Sequence, residues 1–290
     1  MRWTVEKILK EPGIYANVTY EEYFQWDAIN NSVLWKLKTS SPMHVKHYLD
    51  FPPASTDALR IGSALHMMVL EPQLFDSRFV VAPKVDRRTK IGKETWAAFE
   101  ETLNGRQALT LAESANLTQM YDALKRQEAY QYITGRLDED TELAIVWDDE
   151  VTGLRCKAKL DYARRDSYIL CDLKTTGDAS ERGFRSSVEK YGYYQQAAMY
   201  TDGWAALTGD QCSFLFIAIE KDAPHCGCAY DTDENTFQAG RNSYREAMKL
   251  WKHCVETDTW PGYNDGEVAL LTSSPWLLTR ESVGSHQVTP

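Results

Sequence analysis

Ile169-Leu170-Cys171-Asp172-Leu173-Lys174-Thr175-Thr176 is the stretch from which the fold and a functional site can be predicted. It is typical of a short buried strand, because β-favouring apolar residues surround one carboxylate and one lysine. Asp172 and Lys174 are two residues apart, so strand alternation directs both side chains to one face. Two charges inside a sheet lose hydration and need partners, which is usually tolerated only at a site. For an isolated Asp-x-Lys, however, a strand-end salt bridge is the commoner explanation.

The residues before this strand predict two more strands. A turn over residues 164–167 predicts an antiparallel hairpin that sets Asp161 beside Asp172. A further turn over residues 148–153 joins this strand to an earlier one over residues 142–147, with Glu142 at its start. Strict alternation predicts one apolar and one charged face for the middle strand: Leu154, Cys156, Ala158 and Leu160 against Arg155, Lys157, Lys159 and Asp161.

Convergent carboxylates indicate a metal site. Glu142, Asp161 and Asp172 at such close range would repel one another and raise one another's pKa values unless a cation lay among them. A divalent metal supplies that cation, and hard oxygen ligands suit Mg²⁺ or Mn²⁺. Lys174 beside them could orient the attacking water or help to deprotonate it.

Two predicted helices carry further candidates. Ser55-Thr56-Asp57 caps a helix over residues 58–70 that is apolar nearly all round, so we expect it to be buried. His66 within it is, from the residues alone, better explained as a hydrogen-bonded core histidine than as a ligand. In a later helix, near residues 191–207, Gln196 and Tyr200 are four apart and share a side. This helix places Tyr193, Ala197, Tyr200, Trp204 and Leu207 along one stripe, and such an aromatic stripe ordinarily packs in the core.

Other elements follow from caps and periodicity. Asn30-Asn31-Ser32 begins a helix to Lys38, and Ser41-Pro42 begins another. Helical sequence is expected from Lys93 to about residue 134, with one break at Asn104-Gly105. The remaining expected elements are strands over residues 212–219 and 226–230, the latter at a sheet edge, and a last helix whose inner face carries Tyr244, Met248, Trp251 and Val255.

The candidate motifs occur in an order that resembles a known family. The order is Gly62-Ser-Ala-Leu-His66, Glu142, Asp161, Asp172-Leu-Lys174 and Gln196-Ala-Ala-Met-Tyr200. It resembles the RecB-like branch of the PD-(D/E)XK nucleases, and within that branch the C-terminal nuclease domain of RecE (exonuclease VIII), over residues 12–261. The resemblance implies an α/β fold with a restriction-endonuclease-like core, in which helices flank a central mixed β-sheet.

The resemblance also implies roles for the site residues. His66, Asp161, Asp172 and the Leu173 backbone carbonyl would ligate Mg²⁺ or Mn²⁺, and Glu142 would bind a second ion or position water. Lys174 would steer the nucleophile. Gln196 and Tyr200 would lean over the metal site and help to hold substrate.

Basic residues elsewhere are candidate DNA contacts. Arg87, Arg88 and Lys93 belong to a basic segment that is equally well explained as solvated surface or as a clamp on the phosphate backbone. Lys38 and Ser41 lie in a region that is close to the DNA end in related nucleases, although a solvated helix end explains them at least as well.

The function implied by the resemblance is a Mg²⁺-dependent 5′→3′ exonuclease that acts on double-stranded DNA ends and leaves a 3′ single strand. Such an enzyme would serve phage-type homologous recombination and DNA repair, work as a ring-shaped homo-oligomer (trimer or tetramer), and hand its product to a RecT-like annealing protein. Two alternatives remain: an endonuclease of the same fold, and a non-catalytic DNA-binding protein on that fold.

Composition sets further bounds. The 290 residues carry a net charge of −10, so any DNA contact must come from a local basic lining. No apolar run is long enough to span a bilayer, and the first residues lack the apolar centre of a signal peptide, so we expect a cytoplasmic protein with no membrane partner. The six cysteines fit reduced thiols. We expect an irregular N-terminal arm (1–29), a nuclease domain (30–262) and a C-terminal tail (263–290).

Overall fold

The structure is a computed structural model that describes residues 7–53, 56–133 and 141–273. Its main sheet has six strands in the order β1-β4-β5-β6-β7-β8, and β2 and β3 form a small parallel pair. In the main sheet β6 and β7 are parallel and all other neighbours are antiparallel, so the sheet is mixed as predicted. The strands are β1 Gly13–Tyr15, β2 Phe79–Val81, β3 Gln107–Leu109, β4 Thr141–Asp148, β5 Arg155–Arg164, β6 Ile169–Thr176, β7 Ser213–Glu220 and β8 Gly227–Asp231.

Helices flank this sheet, which confirms the predicted α/β class. The α-helices are α1 Tyr20–Gln25, α2 Asn31–Thr39, α3 Pro42–Asp50, α4 Asp57–Leu70, α5 Phe75–Arg78, α6 Lys90–Glu101, α7 Leu111–Lys125, α8 Glu181–Tyr191, α9 Tyr193–Thr208 and α10 Glu234–Thr257. Short 3₁₀ turns lie at Pro72–Leu74, Glu128–Ile133 and Asn264–Gly266. No helix in the described ranges is both long and apolar enough to cross a bilayer.

Two cores cover the two faces of the sheet. The first packs the sheet against α2, α9 and α10, with Leu34, Ala197 and Met248 among its buried residues. The second packs it against α4 and α7. Strand β7, which lies between β6 and the edge strand β8, contributes to both, since Phe216 faces the first core and Ile217 the second. A smaller third core sets Tyr23 and Trp26 against β4.

The predicted caps and strands are confirmed in detail. The side chains of Asn30, Ser41 and Thr56 accept the backbone N–H groups that begin α2, α3 and α4. Strand β6 spans the eight residues predicted for it, and β5 pairs with it as an antiparallel hairpin. Strand β8 lies at the sheet edge as expected.

Several expectations were wrong. The N-terminal arm is not irregular, because β1 extends the main sheet by pairing with β4 and α1 follows it. Helix α4 is not buried all round, since Leu59 is 62% exposed. Val255 on α10 is 52% exposed rather than inward-facing. The predicted break at Asn104-Gly105 does separate α6 from α7, but the strand β3 that follows it was not expected, because its pairing with β2 has no local sequence signal. Residues 274–290 of the expected C-terminal tail lie outside the described residues.

Candidate metal centre

Three side chains from different parts of the chain meet at one point. His66 from α4, Glu142 from β4 and Asp161 from β5 each offer a ligand atom, and these atoms all lie within 4.8 Å of one another. His66 Nδ1 is 3.4 Å from Asp161 Oδ2. The structure therefore brings together three of the residues predicted for a metal site.

Asp161 is positioned where two paired strands part. Its neighbour Tyr162 forms the last backbone pair between β5 and β6, with Cys171. Beyond that pair the Leu173 N–H donates to Asp161 Oδ2 at 2.7 Å, so the side chain replaces a backbone acceptor. The strict alternation of β5 also ends here, because Leu160 lies in the first core and Tyr162 in the second. Up to Leu160 the predicted apolar face is confirmed.

Glu142 has an unusual backbone. Its φ of 52° is left-handed, although it is a buried, non-glycine residue near the start of a strand. Such a conformation costs roughly 1–2 kcal/mol and tends to persist where surrounding contacts enforce it, often at functional sites. One such contact is Lys159, whose Nζ lies 2.5 Å from Glu142 Oε2.

Asp172 and Lys174 form a pair beside the three-residue group. Lys174 Nζ is 2.5 Å from Asp172 Oδ2, and Gln196 Nε2 donates to Asp172 Oδ1 at 2.5 Å. Lys174 Nζ also lies 4.6 Å from the centre of the Tyr193 ring. The structure thus places Gln196 in direct contact with Asp172. Both carboxylate oxygens of Asp172 have protein partners, Lys174 and Gln196. Asp172 does not belong to the group formed by His66, Glu142 and Asp161.

Burial and charge shift the pKa values in the site. Burial, reinforced by the charge of Asp172, raises the pKa of Asp161 to about 8. Burial raises the pKa of Glu142 to about 7, although Lys159 opposes the shift. Burial also lowers the pKa of His66, which keeps its imidazole neutral. For Lys174 burial acts downward, but Asp172, Tyr193 and Asp161 together raise the pKa, so it stays an ammonium.

The donor set fits a divalent cation. A neutral imidazole and two carboxylates offer one nitrogen and several hard oxygens, a set compatible with Mg²⁺ or Mn²⁺. Burial is the main cause of the raised carboxyl pKa values, and a bound cation would compensate the charge that both carboxylates carry without full hydration. Carboxylates in a solvated surface cluster would not have pKa values raised by burial, because they would be hydrated.

The remaining predicted residues lie in other surroundings. Tyr200 is close enough to Asp172 and Asp161 that their charges, after burial, raise the pKa of its hydroxyl. Lys38 pairs with Glu246 at 3.4 Å, and the buried Ser41 hydroxyl contacts His44 Nδ1 at 2.7 Å.

The three basic candidates lie around the start of α6. The Arg87 guanidinium lies 4.2 Å from the centre of the Trp96 ring, Arg88 pairs with Asp86, and Lys93 is exposed on α6. The described contacts of these three residues, and those of Lys38 and Ser41, do not reach the group of three.

Two site residues were missed from the sequence. Lys159 pairs with Glu142, and its Nζ lies 4.1 Å from the centre of the Tyr20 ring. The alternation of β5 does carry a signal for Lys159, which lies two residues before Asp161 on the same predicted face. For Tyr20 there was none, because α1 and β5 are distant in the chain.

Comparisons with known proteins identify the family and the fold. The family described as PDDEXK-like domain of unknown function (DUF3799) matches residues 33–272. A crystal structure named "Putative exonuclease" from Eubacterium rectale superposes with a TM-score of 0.62 at 16% identity, covering 91% of this chain and 99% of that one. A crystal structure of SSO0001 shares 14% identity over 66% of this chain and 86% of that one, but its TM-score of 0.29 is too low to indicate a shared fold.

The similarity is of fold and family rather than of one close relative. No curated protein is significantly similar to the chain in sequence. The matches support the PD-(D/E)XK superfamily and do not single out RecE. Because the family match spans most of the sequence, the chain belongs to the PDDEXK-like family DUF3799.

Proposed function

We propose that this protein is a divalent-metal-dependent nuclease that hydrolyses DNA phosphodiesters, and specifically a 5′→3′ exonuclease on double-stranded ends. The observation that carries the proposal is the convergence of His66, Glu142 and Asp161 beside a buried Asp172–Lys174 pair. A half-buried histidine and three carboxylates close to one another have no evident structural purpose, because well-packed apolar residues are often at least as stable in such a place. Membership of a PDDEXK-like family supports the same assignment.

Each residue has a role that follows from its contacts. His66, Glu142 and Asp161 would hold Mg²⁺ or Mn²⁺, which when bound stabilises developing charge on phosphate and acidifies water. Lys174 would orient the attacking water, since its ammonium is held between Asp172 and the Tyr193 ring. Ligation by Asp172 and by the Leu173 carbonyl stays a prediction, and Asp172 is engaged with Lys174 and Gln196.

The polarity, the 3′ single-stranded product, the use in phage-type recombination and repair, the RecT-like partner and the ring-shaped homo-oligomer are proposed because the motifs resemble those of the RecE nuclease domain. The proposed DNA contacts of Arg87, Arg88, Lys93, Lys38 and Ser41 also depend on this resemblance. A cytoplasmic location is expected of such an enzyme.

A time course on linear duplexes in Mg²⁺ tests the activity. Each strand is labelled separately, with 5′-phosphate or 5′-hydroxyl ends, so that cleavage, polarity and end preference are read together. We expect each labelled strand to be degraded from its own 5′ end, and we expect no activity when a chelator removes the metal. Cutting of covalently closed circles would instead establish the endonuclease alternative.

A pair of lysine variants tests the catalytic assignment. Lys174→Ala should abolish cleavage while DNA binding largely survives. Lys125→Ala is the matched control, because Lys125 also pairs with an aspartate, Asp122 at 2.8 Å, and lies 4.4 Å from the centre of the Tyr121 ring, but on α7. If Lys174→Ala kept full function, the non-catalytic alternative would hold.

A further inference from the structure

Helix α1 presents two exposed aromatic rings on one side. Tyr20 is 48% exposed and Phe24 is 58% exposed, and their positions, four apart, lie next to each other on a helix. Their ring centres are 6.3 Å apart, and the ring planes differ by 30°. Single exposed aromatic residues are ordinary on protein surfaces, so exposure alone indicates nothing. What distinguishes this pair is its support and its neighbours.

The helix beneath the rings is firmly anchored. Tyr23 and Trp26 are buried in the third core, on the other side of the segment. Lys157 Nζ donates to the backbone carbonyls of both residues, at 2.8 Å each. Phe24 packs edge-on against Tyr23, with ring centres 5.7 Å apart. The exposed pair is therefore held on a fixed base, which reduces the entropy lost when a planar ligand stacks on it.

Tyr20 directly adjoins the metal centre. One face of its ring covers the Lys159 ammonium, which lies 4.1 Å from the ring centre, and that ammonium is 2.5 Å from Glu142. Because the residue is still half exposed, part of the ring surface remains open to solvent. Burial, then the charges of Glu142 and Asp161, raise the pKa of the Tyr20 hydroxyl.

The acidic residues of α1 do not form an unscreened barrier to a polyanion. Glu21 pairs with Arg78 at 3.3 Å, and Glu22 pairs with Lys10 at 3.7 Å. Each of the two carboxylates therefore has a cationic partner. An approaching phosphate chain would meet paired charges, two open rings and then the metal centre.

We propose that Tyr20 and Phe24 form a stacking platform for unpaired bases of the DNA strand that enters the metal centre. Every base has a π-face, so such a platform binds single-stranded segments without requiring a sequence. It gives the site a preference for frayed or tailed ends over blunt, fully paired ones. The proposal rests on the proposed nuclease function for the identity of the ligand as DNA.

Equilibrium binding measured by fluorescence anisotropy tests the platform. The probe is a dye-labelled duplex with a short unpaired 5′ tail, made either of thymidines or of abasic residues with the same phosphates. Ca²⁺ replaces Mg²⁺, and a gel confirms that the probe stays intact. We expect wild-type protein to bind the abasic tail roughly 5- to 100-fold more weakly than the thymidine tail.

Ring variants locate the effect. Tyr20→Ala and Phe24→Ala should each weaken binding of the thymidine tail and leave binding of the abasic tail unchanged, and Tyr20→Phe should match wild type. Tyr168→Ala is the control, because Tyr168 is 54% exposed but lies in the turn before β6. Should an alanine variant fail to fold, Tyr20→Leu and Phe24→Leu keep apolar bulk without a ring.

The outcomes separate this inference from the nuclease assignment. Equal wild-type affinity for both tails, or ring variants that bind the thymidine tail like wild type, overturns the platform even if Mg²⁺-dependent cleavage is observed. Conversely, tail-base dependence that is lost in the ring variants supports the platform even if no protein cleaves DNA in Mg²⁺. In that case only the proposed hydrolysis is refuted.

Discussion

Lowering the pH from about 8 to about 6 should sharply weaken divalent-metal binding, because metal ligands must be deprotonated. The sign follows from the site. The pKa of Asp161 is raised to about 8 and that of Glu142 to about 7, so both carboxyls take up protons as the pH falls through this range. His66 does not oppose the trend, since its lowered pKa keeps it neutral over most of this range.

The magnitude follows from the fraction of each group that is ionised. With the pKa of Asp161 at about 8, half of it is ionised at pH 8 and about 1% at pH 6, so affinity falls about 50-fold. With the pKa of Glu142 at about 7, its ionised fraction falls about tenfold over the same range. If both ligate, the combined loss is several hundredfold.

Isothermal titration calorimetry with Mn²⁺ measures this directly. Titration in two buffers of different ionisation enthalpy also reports the protons released on binding, which should exceed one-half per metal at pH 8 and rise at lower pH. Glu142→Gln should keep the larger, Asp161-dependent part of the pH effect. Asp161→Asn should keep only the smaller part, at lower affinity.

Metal affinities that differ less than about threefold between the two pH values would contradict this prediction, since one titrating ligand already requires a larger difference. Circular dichroism at each pH excludes unfolding as the cause. In metal-free protein the same raised pKa of Asp161 lies above its ordinary value of 3.8, so the folded state holds the extra proton. The free energy of unfolding should therefore fall as pH rises from about 4 to about 8.

Three other predictions concern stability. Gln196→Leu removes the donor to the buried Asp172 carboxylate and should lower the free energy of unfolding by about 2–3 kcal/mol in urea denaturation. The pKa of Lys157 is lowered to about 7 by burial, below its ordinary 10.5, so unfolding free energy should rise with pH between those values, and Lys157→Met should abolish the rise. Gly240→Ala would place a Cβ 2.2 Å from the Tyr194 carbonyl oxygen and should cost at least about 1–3 kcal/mol in thermal unfolding, whereas Gly177→Ala, with open space, should change little.

Local signals explain why much of the fold was predictable. Strand β6 and its hairpin with β5 depend on alternation and on a turn, both of which lie within a few residues in the sequence. The caps of α2, α3 and α4 are likewise local, because a side chain accepts an N–H two or three residues away. Once the hairpin was placed, Asp161 had to lie near Asp172.

The unpredicted features all depend on contacts between distant segments. Strand β1 is only three residues long, so it has no hydrophobic pattern from which its pairing with β4 could be predicted. The left-handed backbone of Glu142 falls on a residue type with no preference for that conformation. The exposed Leu59 on α4 shows that apolar content alone cannot tell which face of a helix finds a partner.

Burial raises the pKa of both Asp161 and Glu142, and charge balance in the site adds to the larger shift of Asp161. Glu142 has the ammonium of Lys159 as a direct partner, and Asp172 has that of Lys174. In the described part of the chain, Asp161 has no direct contact with a lysine or arginine and is held by the Leu173 N–H and His66. Its negative charge is therefore the least compensated in the site. A bound divalent ion would therefore be stabilised most by Asp161. Lys159 and Lys174 compensate the other two carboxylates, and Asp161 is the position in the site where positive charge is still required.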